Sequence, residues 1–168
     1  MPNHSFESML PHLVNLKKAF LNKQLSVATA ESCTGGLLAA ALTELPGSSQ
    51  FYRGGINAYA NDAKISVLGV KAATIEKLGA VSAEVAKEMA EGARRLLKAS
   101  FAISVTGIAG PDGGTPQKPV GTVWWGLANA KGTSVEQLNL TGTRADIRWQ
   151  AVFAILTSVE SRFEKGTL

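Results

Sequence analysis

Leu25-Ser26-Val27-Ala28-Thr29-Ala30-Glu31-Ser32-Cys33-Thr34-Gly35-Gly36 decides the fold of this chain. Leu25 to Ala30 reads as a short strand, with Val27 its only β-branched apolar residue. Gly35-Gly36 opens a helix that runs to about Leu45 and is stopped by Pro46-Gly47. A strand that turns through a glycine pair into a helix is the opening unit of an α/β sheet protein.

The flanking chain fits that beginning. Phe6, Met9, Leu10, Leu13, Leu16 and Phe20 recur at three- and four-residue steps, the period of an amphipathic first helix. A second strand is expected over Gly55 to Tyr59, then a short helix capped by Asn61 and ending at Gly69. A minor helix is expected over Thr74 to Leu78, ending at Gly79. Ser82 then caps a strong helix with Val85, Met89, Ala93, Leu96 and Leu97 inward. Phe101 to Val105 is a buried strand. Gly121 to Ala128 and Ser134 to Leu140 flank Lys131-Gly132 as a hairpin. Trp124 and Trp125 lie in that hairpin and should face opposite sides of the sheet. Thr143-Arg144-Ala145-Asp146 resembles a capping box and starts a last helix, with Ile147, Val152, Ile155, Val159 and Phe163 inward. Strands alternating with helices give a layered α/β sandwich, and the closing hairpin makes its sheet mixed. Glycine-rich loops after the first and third strands should share one crevice at the carboxyl ends of the strands.

Composition narrows the function. The chain has 168 residues, 45% hydrophobic and 18% charged, which suits one domain over 1–168 with a sizeable core. The net charge of +4 is not gathered into a basic run, since Arg94-Arg95 is only a pair, so a nucleic-acid partner is not expected. Cys33 is the single cysteine, which excludes an internal disulfide and a multi-cysteine zinc site. No basic-then-apolar leader and no stretch of membrane-spanning length is present, so a cytoplasmic location is expected, with no membrane partner. The assembly is expected to be a homo-oligomer, dimer or higher.

Both histidines, His4 and His12, precede every glycine-rich loop. A Ser-His-Asp triad would have to borrow its base from a terminal arm. Serines, a tyrosine and a lysine can run hydrolysis without histidine, because a desolvated lysine serves as base. Lys64 is the candidate. Placed in the first turn of the helix that Asn61 caps, its cation would oppose the helix dipole, at about 0.3–1 kcal/mol, and with some burial its pKa falls. Tyr59 can reach the same cleft. Ser32, Ser48 and Ser49 are the candidate nucleophiles, and sequence spacing does not choose among them.

Free N–H groups around Ser32-Cys33-Thr34-Gly35-Gly36 suit an anion or a developing oxyanion, while ordinary capping by Ser32 or Thr34 accounts for the same residues. Thr106 leads into the Gly107–Gly114 loop, whose four glycines, Gly110 among them, permit close approach to a small polar ligand. That loop is neither a Walker A loop nor a dinucleotide fingerprint. Arg144 and Arg148 share one face of the last helix near its N-terminus, where a phosphate would satisfy both; simple exposure or pairing with Asp112 or Asp146 is the alternative. Cys33 is more simply a small buried hydrophobe than a nucleophile.

Together, Ala30-Glu31-Ser32-Cys33-Thr34-Gly35-Gly36, Gly47-Ser48-Ser49, Tyr59 with Asn61 and Lys64, Gly79-Ala80-Val81-Ser82, the Gly107–Gly114 loop and Lys118-Pro119-Val120-Gly121-Thr122-Val123 resemble the CinA carboxy-terminal domain family. The resemblance runs from about Leu13 to Phe163. Stand-alone members of that family include PncC-type nicotinamide-nucleotide amidases. The resemblance implies a three-layer α/β/α fold with a mixed, mostly parallel sheet. It also implies hydrolysis of the carboxamide of nicotinamide mononucleotide, a small-molecule nucleotide, to nicotinate mononucleotide and ammonia, with no cofactor and no metal. The family's serine–lysine dyad maps onto Lys64 and, as nucleophile, Ser49, with Tyr59 nearby. Ser32 matches a second family serine and is the rival nucleophile. A catalytically silent nucleotide-binding regulatory module is the alternative function.

Overall fold

The structure, a computed structural model, describes residues 5–168. A 3-10 turn over Phe6–Met9 leads into α1 (Leu10–Asn22), followed by β1 (Val27–Glu31) and α2 (Leu37–Thr43). A second 3-10 turn, Ser48–Gln50, precedes β2 (Tyr52–Asn57), α3 (Asn61–Ser66), α4 (Ala72–Leu78) and α5 (Ala83–Leu97). The chain closes with β3 (Phe101–Gly107), β4 (Thr122–Asn129), β5 (Gly132–Asn139) and α6 (Arg144–Glu164).

The strands form one mixed sheet in the order β2-β1-β3-β4-β5. β1 pairs in parallel with β2 and β3, and the β3–β4 and β4–β5 pairs are antiparallel. Four strands therefore run one way and β4 runs against them. α5 lies across one face, and α1, α2 and α6 pack on the other, which gives three layers.

The two faces differ in side-chain size. Val27, Ile103 and Val105 join the large core under α1, α2 and α6, whereas Ala28, Ala30 and Ala102 face α5. Small residues let α5 come close: the Ser104 hydroxyl donates to the Ala86 carbonyl at 2.5 Å. A Cβ added to Gly126 would sit 3.0 Å from that same oxygen. The alanines of β1, Ala28 and Ala30, fit the same close helix.

Several local expectations hold. Ser82 caps α5, and Thr143 and Asp146 form the capping box of α6. Ile147, Val152, Ile155, Val159 and Phe163 are all buried. Trp125 is buried and Trp124 half-buried, as strand alternation requires.

Three expectations are corrected. β2 occupies Tyr52–Asn57 rather than Gly55 to Tyr59, because its backbone pairs with β1 from Val27↔Tyr52 to Glu31↔Asn57. A Cβ on Gly55 would lie 2.4 Å from Thr29 Oγ1 and 2.5 Å from the Tyr52 hydroxyl, so only glycine fits there. Leu96 is 49% exposed rather than inward. Asn61 is the first residue of α3 and not its cap; Ala60 holds the cap position, and no side chain caps the helix.

Candidate active site

The carboxyl ends of β1, β2 and β3 meet at one edge of the sheet, with chain leaving β1 toward one face and returning to β3 by way of the other. Such a switch point leaves a crevice that the adjoining loops line. Here the β1–α2 loop (32–36), the β2–α3 connection (58–60) and the glycine-rich loop after β3 supply the walls.

Lys64 is the centre of this edge. Its side chain is 1% exposed. Nζ lies 2.9 Å from the Ala58 carbonyl oxygen, 3.1 Å from that of Tyr59 and 3.0 Å from Ser32 Oγ. Burial drives its pKa down from the ordinary lysine value, opposed by the nearby Cys33 thiol. The cause is desolvation, the burial that the sequence reading placed beside the helix dipole. An ammonium donates to all three oxygens. A neutral amine has two N–H groups and one lone pair. The carbonyls of Ala58 and Tyr59 can only accept, so they take the two N–H groups and leave the lone pair for the Ser32 O–H.

Ser32 is therefore the serine that the fold brings to Lys64. Its amide donates to the Val105 carbonyl at 2.9 Å, extending the β1–β3 ladder by one step, and its own carbonyl accepts from the Gly35 amide at 3.0 Å. Gly35 and Gly36 have φ of +59° and +96°, left-handed values that let the loop turn sharply into α2.

Ser49 is not brought to Lys64. It is exposed in the 3-10 turn that precedes β2, whereas Lys64 follows β2. A strand of this length separates its ends by roughly 15–20 Å. Ser48 is buried beside it and donates to the Leu45 carbonyl at 2.5 Å, locking the turn. The order Ser49, strand, Lys64 was already implied by the sequence, and it is the signal that distinguishes the serines.

The N–H groups at the start of α2 are also engaged. Glu31, 1% exposed, accepts from the Thr34 hydroxyl at 2.7 Å, the amides of Gly36 and Leu38 at 3.0 Å each, and the Ala39 amide at 2.8 Å. The anion at this helix terminus is thus the protein's own carboxylate. The amides of Cys33 and Thr34 lie outside this set. Sequence reasoning missed Glu31 because a side-chain cap is sought at the residue next to the helix, here Gly36, and Glu31 reaches it from the preceding strand.

The two arginines occupy different places. Arg144 is exposed and bridges the cleft rim, donating from Nη1 to the Gly110 carbonyl at 2.9 Å and from Nη2 to the Tyr59 hydroxyl at 2.6 Å. Tyr59 is 57% exposed, and its hydroxyl serves Arg144 while its carbonyl serves Lys64. Arg148 is half-buried and donates from Nη2 to the Thr34 carbonyl at 2.7 Å, while its buried Nε has no hydrogen-bond partner among the described residues.

Thr106, expected to bind substrate, is instead buried, with its hydroxyl given to the Ala80 carbonyl at 2.9 Å. Gly107 packs against β4, where a Cβ would lie 2.7 Å from Val123 Cγ2. Asn61 is exposed at the start of α3. Lys118 anchors the glycine-rich loop by donating to the carbonyls of Leu78 and Val81 at 2.6 and 2.7 Å. Cys33 is buried and its thiol is pushed up to about 12, chiefly by desolvation. His12 lies on α1 beside Glu160 at 2.5 Å, on the α1–α6 surface rather than in the crevice, and His4 lies outside the described residues. Among the described residues no three His, Cys, Asp or Glu side chains gather as a metal site, and no helix is long and apolar enough to cross a membrane.

The family model described as the CinA C-terminal domain matches residues 11–163. A competence-damage inducible protein of Acetivibrio thermocellus is 52% identical over 131 residues, which are 78% of this chain and 32% of that protein. A CinA-like protein of Endomicrobium trichonymphae is 49% identical over 135 residues, 80% of this chain and 32% of that one. The chain thus spans about a third of the length of these relatives. Among solved structures, the competence/damage inducible protein CihA from Agrobacterium tumefaciens superposes with a TM-score of 0.84 at 40% identity, covering 89% of this chain and 93% of that one. The competence damage-inducible protein A from Klebsiella pneumoniae gives a TM-score of 0.89 at 33% identity, covering 92% and 96%.

Proposed function

For a chain that belongs to the CinA C-terminal domain family, we propose hydrolysis of the carboxamide of nicotinamide mononucleotide to nicotinate mononucleotide and ammonia, with Ser32 as nucleophile and Lys64 as base. The observation that carries this reading is the buried Lys64 Nζ, within hydrogen-bond distance of Ser32 Oγ and of the Ala58 and Tyr59 carbonyls, an arrangement in which the neutral amine would direct its lone pair to Ser32. Ser49, the nucleophile expected from the family resemblance, is replaced by Ser32 in this proposal.

The steps balance around one proton. Neutral Lys64 takes the Ser32 proton as Oγ attacks the amide carbon. Amides of the turn after Ser32 are the candidates to hold the oxyanion, those of Cys33 and Thr34 first, since Glu31 occupies Gly36, Leu38 and Ala39. Collapse breaks the C–N bond, and Lys64 returns the proton so that ammonia leaves. A water then attacks the Ser32 ester with Lys64 again as base, releasing the carboxylate and restoring the serine. Arg144 on the rim and the remaining N–H groups of Arg148 are the proposed phosphate contacts.

The test is incubation of purified protein with nicotinamide mononucleotide and an assay of ammonia, with Ser32→Ala and Lys64→Ala alongside. Ammonia release by the parent chain and loss in both variants supports the reading. A parent chain that binds the nucleotide without releasing ammonia makes it a silent binding module instead.

A further inference from the structure

Glu31 takes no part in the bond-making steps above, yet it is among the most heavily hydrogen-bonded side chains near the site. We infer that Glu31 is a positioning residue for the Ser32–Lys64 pair, an inference that rests on the hydrolase reading. Its two functional groups hold the two halves of the pair. The carboxylate fastens the loop that follows Ser32, through the Thr34 hydroxyl and the amides of Gly36, Leu38 and Ala39. The main-chain carbonyl accepts from the Ala58 amide at 2.9 Å, and the Ala58 carbonyl in turn receives Lys64 Nζ at 2.9 Å. One residue thus fixes the loop carrying the nucleophile and the strand end that aims the base.

The chemistry requires a carboxylate of this length. Four donors converge on two oxygens, three of them on Oε2 and one on Oε1. An ionised glutamate offers only acceptors, whereas glutamine would turn an NH2 toward one of those donors. Aspartate is one methylene short of the α2 amides. Thr34 links this clamp to Arg148, since its hydroxyl is held by Glu31 and its carbonyl by Arg148. Gly35 and Gly36 leave the loop free to adopt other conformations, so the clamp rather than the local backbone selects the one that leaves Ser32 at Lys64.

The experiment compares the parent chain with Glu31→Gln and with Thr34→Val, which removes one of the four donors while keeping the side chain's shape. Four quantities are read: thermal melting, kcat and KM on nicotinamide mononucleotide, and the rate at which phenylmethylsulfonyl fluoride labels Ser32, located by peptide mass spectrometry. In that labelling Oγ displaces fluoride at sulfur and the serine proton passes to Lys64, so its rate reports the pair without the nucleotide. Positioning predicts that kcat and the labelling rate fall together in folded Glu31→Gln, by about 10²-fold, the scale of a small misplacement of reacting groups. KM stays within about twofold, and Thr34→Val falls in the same two quantities by less. A purely structural role lowers the melting temperature but leaves the labelling rate of folded protein unchanged, which overturns the inference. If Glu31→Gln does not fold, Thr34→Val decides: parental kcat and labelling overturn the inference, a joint fall supports it. A parent chain that neither releases ammonia nor labels at Ser32 overturns the hydrolase reading itself and the inference with it. An active parent with an unaffected folded Glu31→Gln overturns the inference alone.

Discussion

Arg144 Nη2 donates to the Tyr59 hydroxyl at 2.6 Å, joining residues 85 positions apart across the mouth of the crevice. The other nitrogen, Nη1, holds the Gly110 carbonyl, so one guanidinium ties the end of the β2 segment to the glycine-rich loop. A phosphate arriving at the rim meets a cation whose planar fork can shift from these neutral acceptors to an anion. Such charge-assisted hydrogen bonds are worth about 1.5–3 kcal/mol. Arg144→Ala should therefore raise KM for nicotinamide mononucleotide about tenfold or more, and should change turnover of the riboside lacking phosphate much less. Equal losses on both substrates would mean that Arg144 only holds Tyr59 and Gly110 in place.

The serines give a sharper contrast. Ser32→Ala removes the one hydroxyl at Lys64 Nζ and should reduce kcat by about 10⁴-fold or more, the scale of losing a nucleophile. Ser49→Ala alters an exposed turn at the other end of β2 and should leave kcat within about twofold of the parent. The ammonia assay on both variants decides; loss in Ser49→Ala with retention in Ser32→Ala would place the chemistry at the opposite edge of the sheet.

Much of this arrangement was legible in the chain because it rests on local rules. The Thr143–Asp146 capping box, the Ser82 cap and the hairpin around Lys131-Gly132 each declare themselves within a few residues, and each is present. The sequence points to Lys64 for a depressed pKa through the helix dipole and some burial, and burial is the cause that the structure gives. Its desolvation depends on the β1–α2 loop at Ser32 and the chain at Ala58 and Tyr59 meeting around its amine, and no local pattern reports that. The start of β2 is hidden because Gly54-Gly55 carries no strand propensity; Gly55 is required by Thr29 and Tyr52 beside it, and Gly54 by its φ of +136°. The Glu31 cap escaped notice for a related reason. It links a strand to the helix beyond the next turn, a distance over which capping patterns are not read. The pairing of Ser49 with Lys64, expected from the resemblance, is not one that the structure brings together. Strand direction alone separates Ser49 from Lys64, and that argument needed no tertiary contact.

Cys33 adjoins Ser32, the proposed nucleophile, and invites a thiol mechanism, which its surroundings oppose. Burial pushes the thiol up to about 12, so it stays protonated at neutral pH and is a poor nucleophile. Cys33→Ala should keep most of the activity and lose about 1 kcal/mol of stability from the buried volume removed. Iodoacetamide should not inactivate the native protein. A folded but inactive Cys33→Ala would transfer the nucleophilic role from oxygen to sulfur.

The pH dependence follows from Lys64, with the same sign for rate and stability. Its pKa in the folded protein lies below the ordinary value of 10.5 because burial disfavours the ammonium. The base is active only when neutral, so kcat/KM should rise with pH through the folded pKa and level off above it, with a midpoint below 10.5. For stability, between the folded pKa and 10.5 the unfolded chain holds a proton on this lysine that the folded protein does not. Stability must then increase with pH across that window. The contribution is complete above the unfolded value and is lost as pH falls through the folded one. Lys64→Met removes the titrating group, so the difference in unfolding free energy, parent minus variant, should grow as pH is raised through the window. Urea titrations of both proteins at several alkaline pH values measure it. A difference that is flat with pH, or a kcat/KM midpoint at the ordinary lysine value, would show that Lys64 is not held as a neutral base.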